Sequence, residues 1–249
     1  MKNKRFFIFI LIILAHSLLS IYYPKLTGNA TSTQVNYEKE EAILERVVDG
    51  DTIIYRIGNI SQSCRLLGIN TPEKNMPYSN ESKAFLAQFV NKTLQLARDK
   101  TDTDKYQRKL RYIFYDDRLI NLEIVERGLA NAYMLDGLKY SDAFLRAEEQ
   151  ARKFGVGIWT KSQENCANCI ILDNINTSID TFILENICNF DCNLSGWFVK
   201  DAGRNTLYLA SLAANSKQTF QSKKGVWADA GDEFFLFDKS GKLDLYYQY

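Results

Sequence analysis

Three short apolar runs, Ala42 to Val48, Thr52 to Ile57 and Ser63 to Ile69, read as consecutive β-strands, with Gly58-Asn59 as the turn between the second and third. Their ends carry the chemistry. Asp49-Gly50-Asp51-Thr52 joins the first strand to the second. Arg65 lies within the third, which runs through Leu66-Leu67-Gly68-Ile69 into Asn70-Thr71-Pro72-Glu73. A second arginine, Arg108, closes the polar segment Asp104-Lys105-Tyr106-Gln107-Arg108. Carboxylates suit a hard cation and guanidinium groups suit phosphate oxygens, so these residue types together describe a phosphodiester-cleaving site.

Helical patterns follow the strands. Phe85, Leu86, Phe89 and Val90 recur at three- and four-residue spacing, which predicts a helix over 79–94, with Glu81 in its first turn. Leu110 to Tyr115 reads as a strand turned by Asp116-Asp117. Leu119 to Arg127 reads as a helix stopped by Gly128, and Ser141 to Phe154 as another followed by Gly155. After Trp159 the pattern changes to short strands only, at 170–172, 181–185, 196–200, 206–210, 233–238 and 243–247, separated by Asn, Asp, Gly and Ser. That spacing predicts an antiparallel sandwich. The boundary falls near 161–163.

The 249 residues accommodate two domains. A net charge of +1 excludes a bulk polyanion-binding surface, so any nucleic-acid contact is local. At the N-terminus, Lys2, Lys4 and Arg5 precede an apolar run from Phe6 to Leu19. Residues 1–23 therefore read as a signal peptide or a retained membrane anchor attaching through residues 6–23, and 24–40 as a polar linker. Either outcome places the rest of the chain in an extracellular location, or anchored and facing outward. The one histidine, His16, lies in that segment. No Ser-His-Asp triad, Cys-His pair or histidine-ligated zinc can be built from residues 31–249. The general base must be a carboxylate, a lysine, a tyrosine or a bound water.

The ordered segments Asp49-Gly50-Asp51-Thr52, Arg65 to Glu73 and Asp104 to Arg108, with Asn121 to Ala130 as a second helix and Ile158-Trp159 at the end, resemble the staphylococcal (micrococcal) nuclease family. The resemblance covers about residues 42–160. It implies an α+β domain over 41–162, an OB-type five-stranded barrel with three helices, and a calcium-dependent endonuclease acting on DNA or RNA. It further implies that Asp51, Asn70 and the Thr71 carbonyl hold Ca2+. Glu73 is implied as the general base, with Arg65 and Arg108 on the scissile phosphate. Lys105, Tyr106 and Tyr133 are implied at the substrate rim. The alternative is a weakly active or inactive nucleic-acid-binding module displayed at the cell surface with an interaction domain.

Two positions depart from the family pattern. Asn70 stands where an aspartate is usual, which lowers the expected calcium affinity. Gln107 stands where glycine is common, and a positive φ there carries strain able to displace Arg108.

Residues 166–249 contain Asn193-Leu194-Ser195-Gly196-Trp197 and Gly225-Val226-Trp227 ahead of Gly231-Asp232, and they resemble the lamin-tail family. That resemblance implies an all-β, immunoglobulin-like β-sandwich, with Trp197 and Trp227 packed in it. It also implies an interaction role with an unknown partner and brings no catalytic set. Cys166, Cys169, Cys188 and Cys192 allow three disulfide pairings or a four-cysteine zinc site. Export favours disulfides. Cys64 reads as a small core residue.

Overall fold

Alternating burial builds the first half of the chain. In this computed structural model, which describes residues 39–134, 137–203, 205–228 and 231–249, strands β1 (Lys39–Val47), β2 (Thr52–Ile57) and β3 (Ile60–Leu66) form an antiparallel meander. Two-residue β4 (Ile69–Asn70) leaves the rim and leads to helix α1 (Ser79–Ala87). Then β5 (Thr93–Ala97) pairs with the free edge of β1, and β6 (Lys109–Tyr115) pairs with β5. A parallel pairing of β6 with β3, Arg65 opposite Leu110, closes the five strands into a barrel. After β7 (Arg118–Leu119) come helix α2 (Ile120–Glu126), β8 (Asn131–Ala132), which pairs with β4, and helix α3 (Ser141–Phe154). The five-stranded barrel with three helices is thus present.

Leu44, Ile53, Leu66, Leu94, Leu96, Ile113, Ile124 and Phe144 fill its core, all at most 1% exposed. One buried polar side chain ties helix to barrel. The Asn121 carbonyl oxygen accepts from the Ile113 N–H at 2.8 Å, and its amide donates to the Leu67 carbonyl at 2.9 Å. Both ends being satisfied, its burial costs little.

The elements differ from the sequence reading in particular places. The helix expected over 79–94 ends at Ala87, because Asn91 takes a left-handed φ of 64° and breaks it. The missed strand β5 follows at once, with Leu94 and Leu96 inward and Thr93 and Gln95 outward. The helical spacing of Phe85 to Val90 masked this alternation. The third strand, expected over 63–69, instead spans Ile60–Leu66 and resumes as β4 after Gly68, whose φ is 78°.

The C-terminal region is all-β. A three-stranded sheet holds β9 (Ile170–Asn176), β10 (Thr181–Asn186) and β13 (Ser216–Gln221). A four-stranded sheet holds β11 (Phe198–Lys200), β12 (Thr206–Tyr208), β14 (Glu233–Phe237) and β15 (Leu243–Gln248). Both sheets are antiparallel and share a core of Phe182, Leu184, Trp197, Trp227, Phe234 and Leu236. Strand β13 carries one apolar ring, Phe220, on an exposed edge, so it left no alternation to detect. Cys166 pairs with Cys192 and Cys169 with Cys188. Cys64 is fully buried, and burial pushes its thiol up to about 12, so it is inert.

The two regions are welded together. Ala151, Ile158 and Trp159 from the barrel half pack against Phe198, Phe235, Phe237 and Leu243 of the four-stranded sheet. The joining segment is zipped onto β15: the Leu243 N–H donates to the Thr160 carbonyl at 2.8 Å and the Ser162 N–H to the Leu243 carbonyl at 2.9 Å. The described residues form a single compact unit. The N-terminal basic and apolar segment, His16 and nearly all of the expected linker lie outside them. Among the described residues, no helix is long and apolar enough to cross a membrane.

Candidate active site

The turn between β1 and β2 sets the site. The Val48 N–H donates to the Thr52 carbonyl at 2.9 Å, and the Asp51 N–H to Asp49 Oδ1 at 3.1 Å. Gly50 passes so close beneath the next loop that a Cβ there would lie 2.6 Å from Ser82 Cβ and 2.7 Å from Thr71 Oγ1. Glycine is needed for that approach. It brings Asp51 Oδ2 to the Thr71 N–H at 3.0 Å and the Thr71 hydroxyl at 2.9 Å.

Arg65, on the inner end of β3, reaches the same carboxylate. Its Nη1 lies 2.5 Å from Asp51 Oδ2 but off the hydrogen-bond direction, so the contact is coulombic. Its Nη2 donates to Asn70 Oδ1 at 3.1 Å. Arg108 arrives from the opposite side. Asp104 holds it by Nε at 2.7 Å and by its backbone N–H at 3.0 Å. Arg108 Nη1 then donates to Thr52 Oγ1 at 3.3 Å, and that hydroxyl donates to Asp51 Oδ1 at 3.1 Å. Both guanidinium groups are therefore oriented around one carboxylate.

Gln107 does take a left-handed φ, at 65°. The Asp104 clamp nevertheless keeps Arg108 in the cleft, so the strain anticipated there does not displace it. At Asp104, burial acts upward, but the hydrogen bonds from Arg108 and Tyr106 outweigh it and hold the carboxyl below its usual range. Tyr106 is 67% exposed, with Lys105 and Arg108 over its ring.

A cleft of about 730 Å³ gathers these groups. Asp51, Arg65, Asn70, Thr71, Glu73 and Arg108 line its floor, with Lys105, Tyr106 and Tyr133 at the rim. All nine residues singled out in the sequence thus line one cleft. The cleft has a further wall that sequence reasoning missed: Asp201, Ala202, Gly203 and Asp232, from loops next to the four-stranded C-terminal sheet. The Asn70 amide donates to the Ala202 carbonyl at 3.0 Å, across 132 positions of sequence. No local pattern could have revealed that contact. Next to this wall, burial holds the Lys200 ammonium below its usual range, and Glu73 is among the charges facing it.

The donor types fit a hard divalent cation: one buried carboxylate, one amide oxygen and a backbone carbonyl. Burial keeps Asp51 above the usual carboxylate range in spite of Arg65, so further positive charge at this point would favour its ionised form. Among the described residues no three His, Cys, Asp or Glu side chains come together as a metal cluster. Protein donors to a cation here are therefore few, and water would complete its shell.

Residues 63–161 match the family described as staphylococcal nuclease homologue. A thermonuclease of Staphylococcus hyicus is 30% identical over 160 residues, covering 61% of this chain and 95% of that protein. An uncharacterized endonuclease of Haemophilus influenzae is 36% identical over 124 residues, covering 49% of this chain and 67% of that protein. The chain belongs to the staphylococcal nuclease family. It is accordingly a hydrolase of the nuclease class. The matched segment 63–161 begins within β3, while the closed barrel of this family member also requires β1 and β2. The sandwich lies beyond the matched segment.

Proposed function

We infer that the chain is a calcium-dependent endonuclease that hydrolyses DNA or RNA phosphodiesters outside the cytoplasm. The observation that carries this reading is the convergence of Arg65, Arg108, Asp51, Asn70 and Glu73 on one cleft. Glu73 takes a proton from the attacking water, or orients it. The guanidinium groups of Arg65 and Arg108 donate to the phosphoryl oxygens and stabilise the charge that builds as the P–O bond to the leaving oxygen breaks. Asp51, the Asn70 carbonyl oxygen and the Thr71 carbonyl are the groups that would hold the ion. Calcium, when bound, supplies Lewis-acid polarisation of the phosphoryl oxygen. Lys105, Tyr106 and Tyr133 bind the flanking nucleotides at the rim, where exposed rings offer stacking faces.

Two disulfides support an oxidising compartment, in keeping with the basic and apolar N-terminal segment. Seven strands in two facing sheets suit the immunoglobulin-like, lamin-tail-like reading of residues 166–249, which would serve as an interaction module. The reading is tested with the full chain on plain DNA, with calcium and with chelator. Cleavage should require the ion, and Glu73→Gln should lose activity. Equal rates for that variant and the wild type would remove Glu73 from the mechanism.

One observation favours a second reading, a nucleic-acid binder with little or no cleavage. The Asn70 amide is engaged by Arg65 on one side and Ala202 on the other, and it brings no charge to a cation. Tight DNA binding with no cleavage in any divalent cation would select this second reading.

A further inference from the structure

We propose that Asp232 of the sandwich is a positioning residue for the candidate calcium site: through Ala202 it fixes the orientation of the Asn70 amide, so the sandwich completes the barrel's cation-binding floor. The proposal rests on the calcium reading of that floor given above. Two of the proposed ligands share one guanidinium. Arg65 Nη1 lies against Asp51 Oδ2, and Arg65 Nη2 donates to Asn70 Oδ1 at 3.1 Å. Little backbone pairing holds Asn70, since β4 is two residues long and pairs with the equally short β8. Its side chain has one further hydrogen-bond partner among the described residues, the Ala202 carbonyl, to which Nδ2 donates at 3.0 Å.

The two ends of a primary amide have nearly the same shape, so the partners decide which end faces a cation. A turned-over Asn70 would present N–H groups to Arg65 and set its oxygen against the Ala202 carbonyl. Arg65 and Ala202 therefore select the same orientation. They part company when a divalent cation arrives. It repels the guanidinium, and the proposed role of Arg65 carries that group to the phosphate. Ala202 is then the partner that keeps Oδ1 toward Asp51. The same bond gives a reason for asparagine where the family pattern carries aspartate. A carboxylate there would set an oxygen against the Ala202 carbonyl, with no proton between them.

Asp232 in turn holds Ala202. It lies immediately before β14, and its Oδ1 accepts from the Ala202 N–H at 3.2 Å and from the Glu233 N–H at 2.8 Å, while Oδ2 accepts from the Ala228 N–H at 3.3 Å. Phe234 and Leu236 root β14 in the sandwich core. A continuous line of contacts thus runs from that core through Asp232, Ala202 and Asn70 to Arg65 and Asp51. The turn is fastened separately at Asn205, whose N–H donates to Asp201 Oδ1 at 2.9 Å and whose side-chain amide donates to Oδ2. Groups that orient a metal ligand without touching the metal typically govern affinity by about 10- to 100-fold.

The test is the calcium affinity of the full chain without substrate, by isothermal titration calorimetry, with a Tm in chelator to check the folding of each variant. Asp232→Ala should weaken calcium binding roughly tenfold. Asp232→Asn keeps an Oδ1 acceptor for the Ala202 N–H and should stay within about twofold of the wild type, which separates position from charge. The arm that isolates the route is Asn70→Asp, which has no donor for Ala202. In that background Asp232→Ala should change calcium affinity by less than about twofold. Asn205→Ala loosens the same turn, should also weaken binding, and carries the same cycle should Asp232→Ala fail to fold. An equal fall in both backgrounds overturns the proposal, as does a fall in Asp232→Asn as large as in Asp232→Ala. Wild-type calcium affinity in both loosened variants overturns it too, and leaves the calcium-dependent nuclease reading standing. A wild type that binds no calcium removes the calcium reading and the proposal together.

Discussion

The barrel and the sandwich solve the same problem by different means. The barrel surrounds one large core, closes its own edge through the β3–β6 pairing, and has no disulfide among its described residues; its cysteine, Cys64, is sealed inside. The sandwich leaves edges open, uses a polar edge strand in β13, and staples its start with two disulfides. The barrel carries the charged groups of the cleft floor on strand ends and short turns. The sandwich contributes mainly backbone and packing, and it reaches the cleft only because an apolar interface fixes it there. A region can therefore wall a candidate site through its backbone alone.

That dependence is broken most directly at the interface. Trp159 is fully buried between the halves, against Phe235 and Tyr246. Truncating a buried tryptophan costs about 3–5 kcal/mol. Trp159→Ala should split one thermal transition into two and loosen the wall at Ala202. A calorimetric trace that stays single, with Tm unchanged, would show that the halves do not rely on this contact.

The next effect lies in the barrel alone. Arg65→Lys keeps the charge but loses the planar fork that reaches both Asp51 and Asn70. Loss of one preorganised donor lowers kcat by about 100- to 1000-fold. The measurement is kcat on a short oligonucleotide beside a Tm, since an equal fall in both would report folding and not chemistry.

The contrast in cysteine use predicts a selective response to reductant. Each disulfide closes a short loop, with sequence separations of 26 and 19, worth about 3 kcal/mol on a chain-entropy account. Replacing Cys166 and Cys192 by serine should lower the unfolding temperature of the sandwich and leave the barrel's intrinsic stability in place. Thiol labelling of the native wild type should find no reactive group until reductant is added.

Much of this division was legible in the sequence, for physical reasons that differ by residue. Asp51, Arg65, Asn70, Glu73 and Arg108 stand at fixed places in short motifs, and the closing of the barrel brings those places together. Strand β5 was hidden because Phe85 to Val90 continue a helical spacing that only the backbone at Asn91 interrupts. Strand β13 was hidden because an edge strand needs no apolar face. The Ala202 wall was invisible because a backbone carbonyl has no sequence signature. Its partner, Asn70, could be seen as a departure, but the reason for the departure lay 132 residues away.

A smaller effect is expected from pH. Glu148 of α3 is pushed up to about 7 from its ordinary 4.5, by burial first and by the charge of Glu233 second; its carboxylate accepts from the Ala132 N–H, and Arg152 pulls the other way. Glu233, on β14, is also raised by burial, with Tyr246 and Lys200 opposing. The folded protein keeps a proton on Glu148 that the unfolded chain gives up above 4.5. Its contribution is complete below 4.5 and is lost as pH rises through about 7. The contribution is on the order of 3 kcal/mol. Tm should fall between pH 5 and 8, and Glu148→Gln should flatten that slope. A slope unchanged in the variant would move the cause elsewhere.

The smallest effect tests whether the barrel tolerates strain near the site. Gln107 holds a φ of 65° in the turn that presents Arg108, where a left-handed backbone costs a side-chain-bearing residue about 1 kcal/mol. Gln107→Gly removes that strain but widens the unfolded ensemble, so the gain in stability should be below about 1 kcal/mol. Arg108 is held by Asp104 through both its backbone and its Nε, and not by the residue before it. KM and kcat should therefore stay at wild-type values while chemical denaturation shows the small gain. Asp104→Ala is the counterpart, since it leaves Gln107 in place and removes both bonds to Arg108. If kcat falls in Gln107→Gly and not in Asp104→Ala, the conformation at position 107 sets the arginine and the clamp does not.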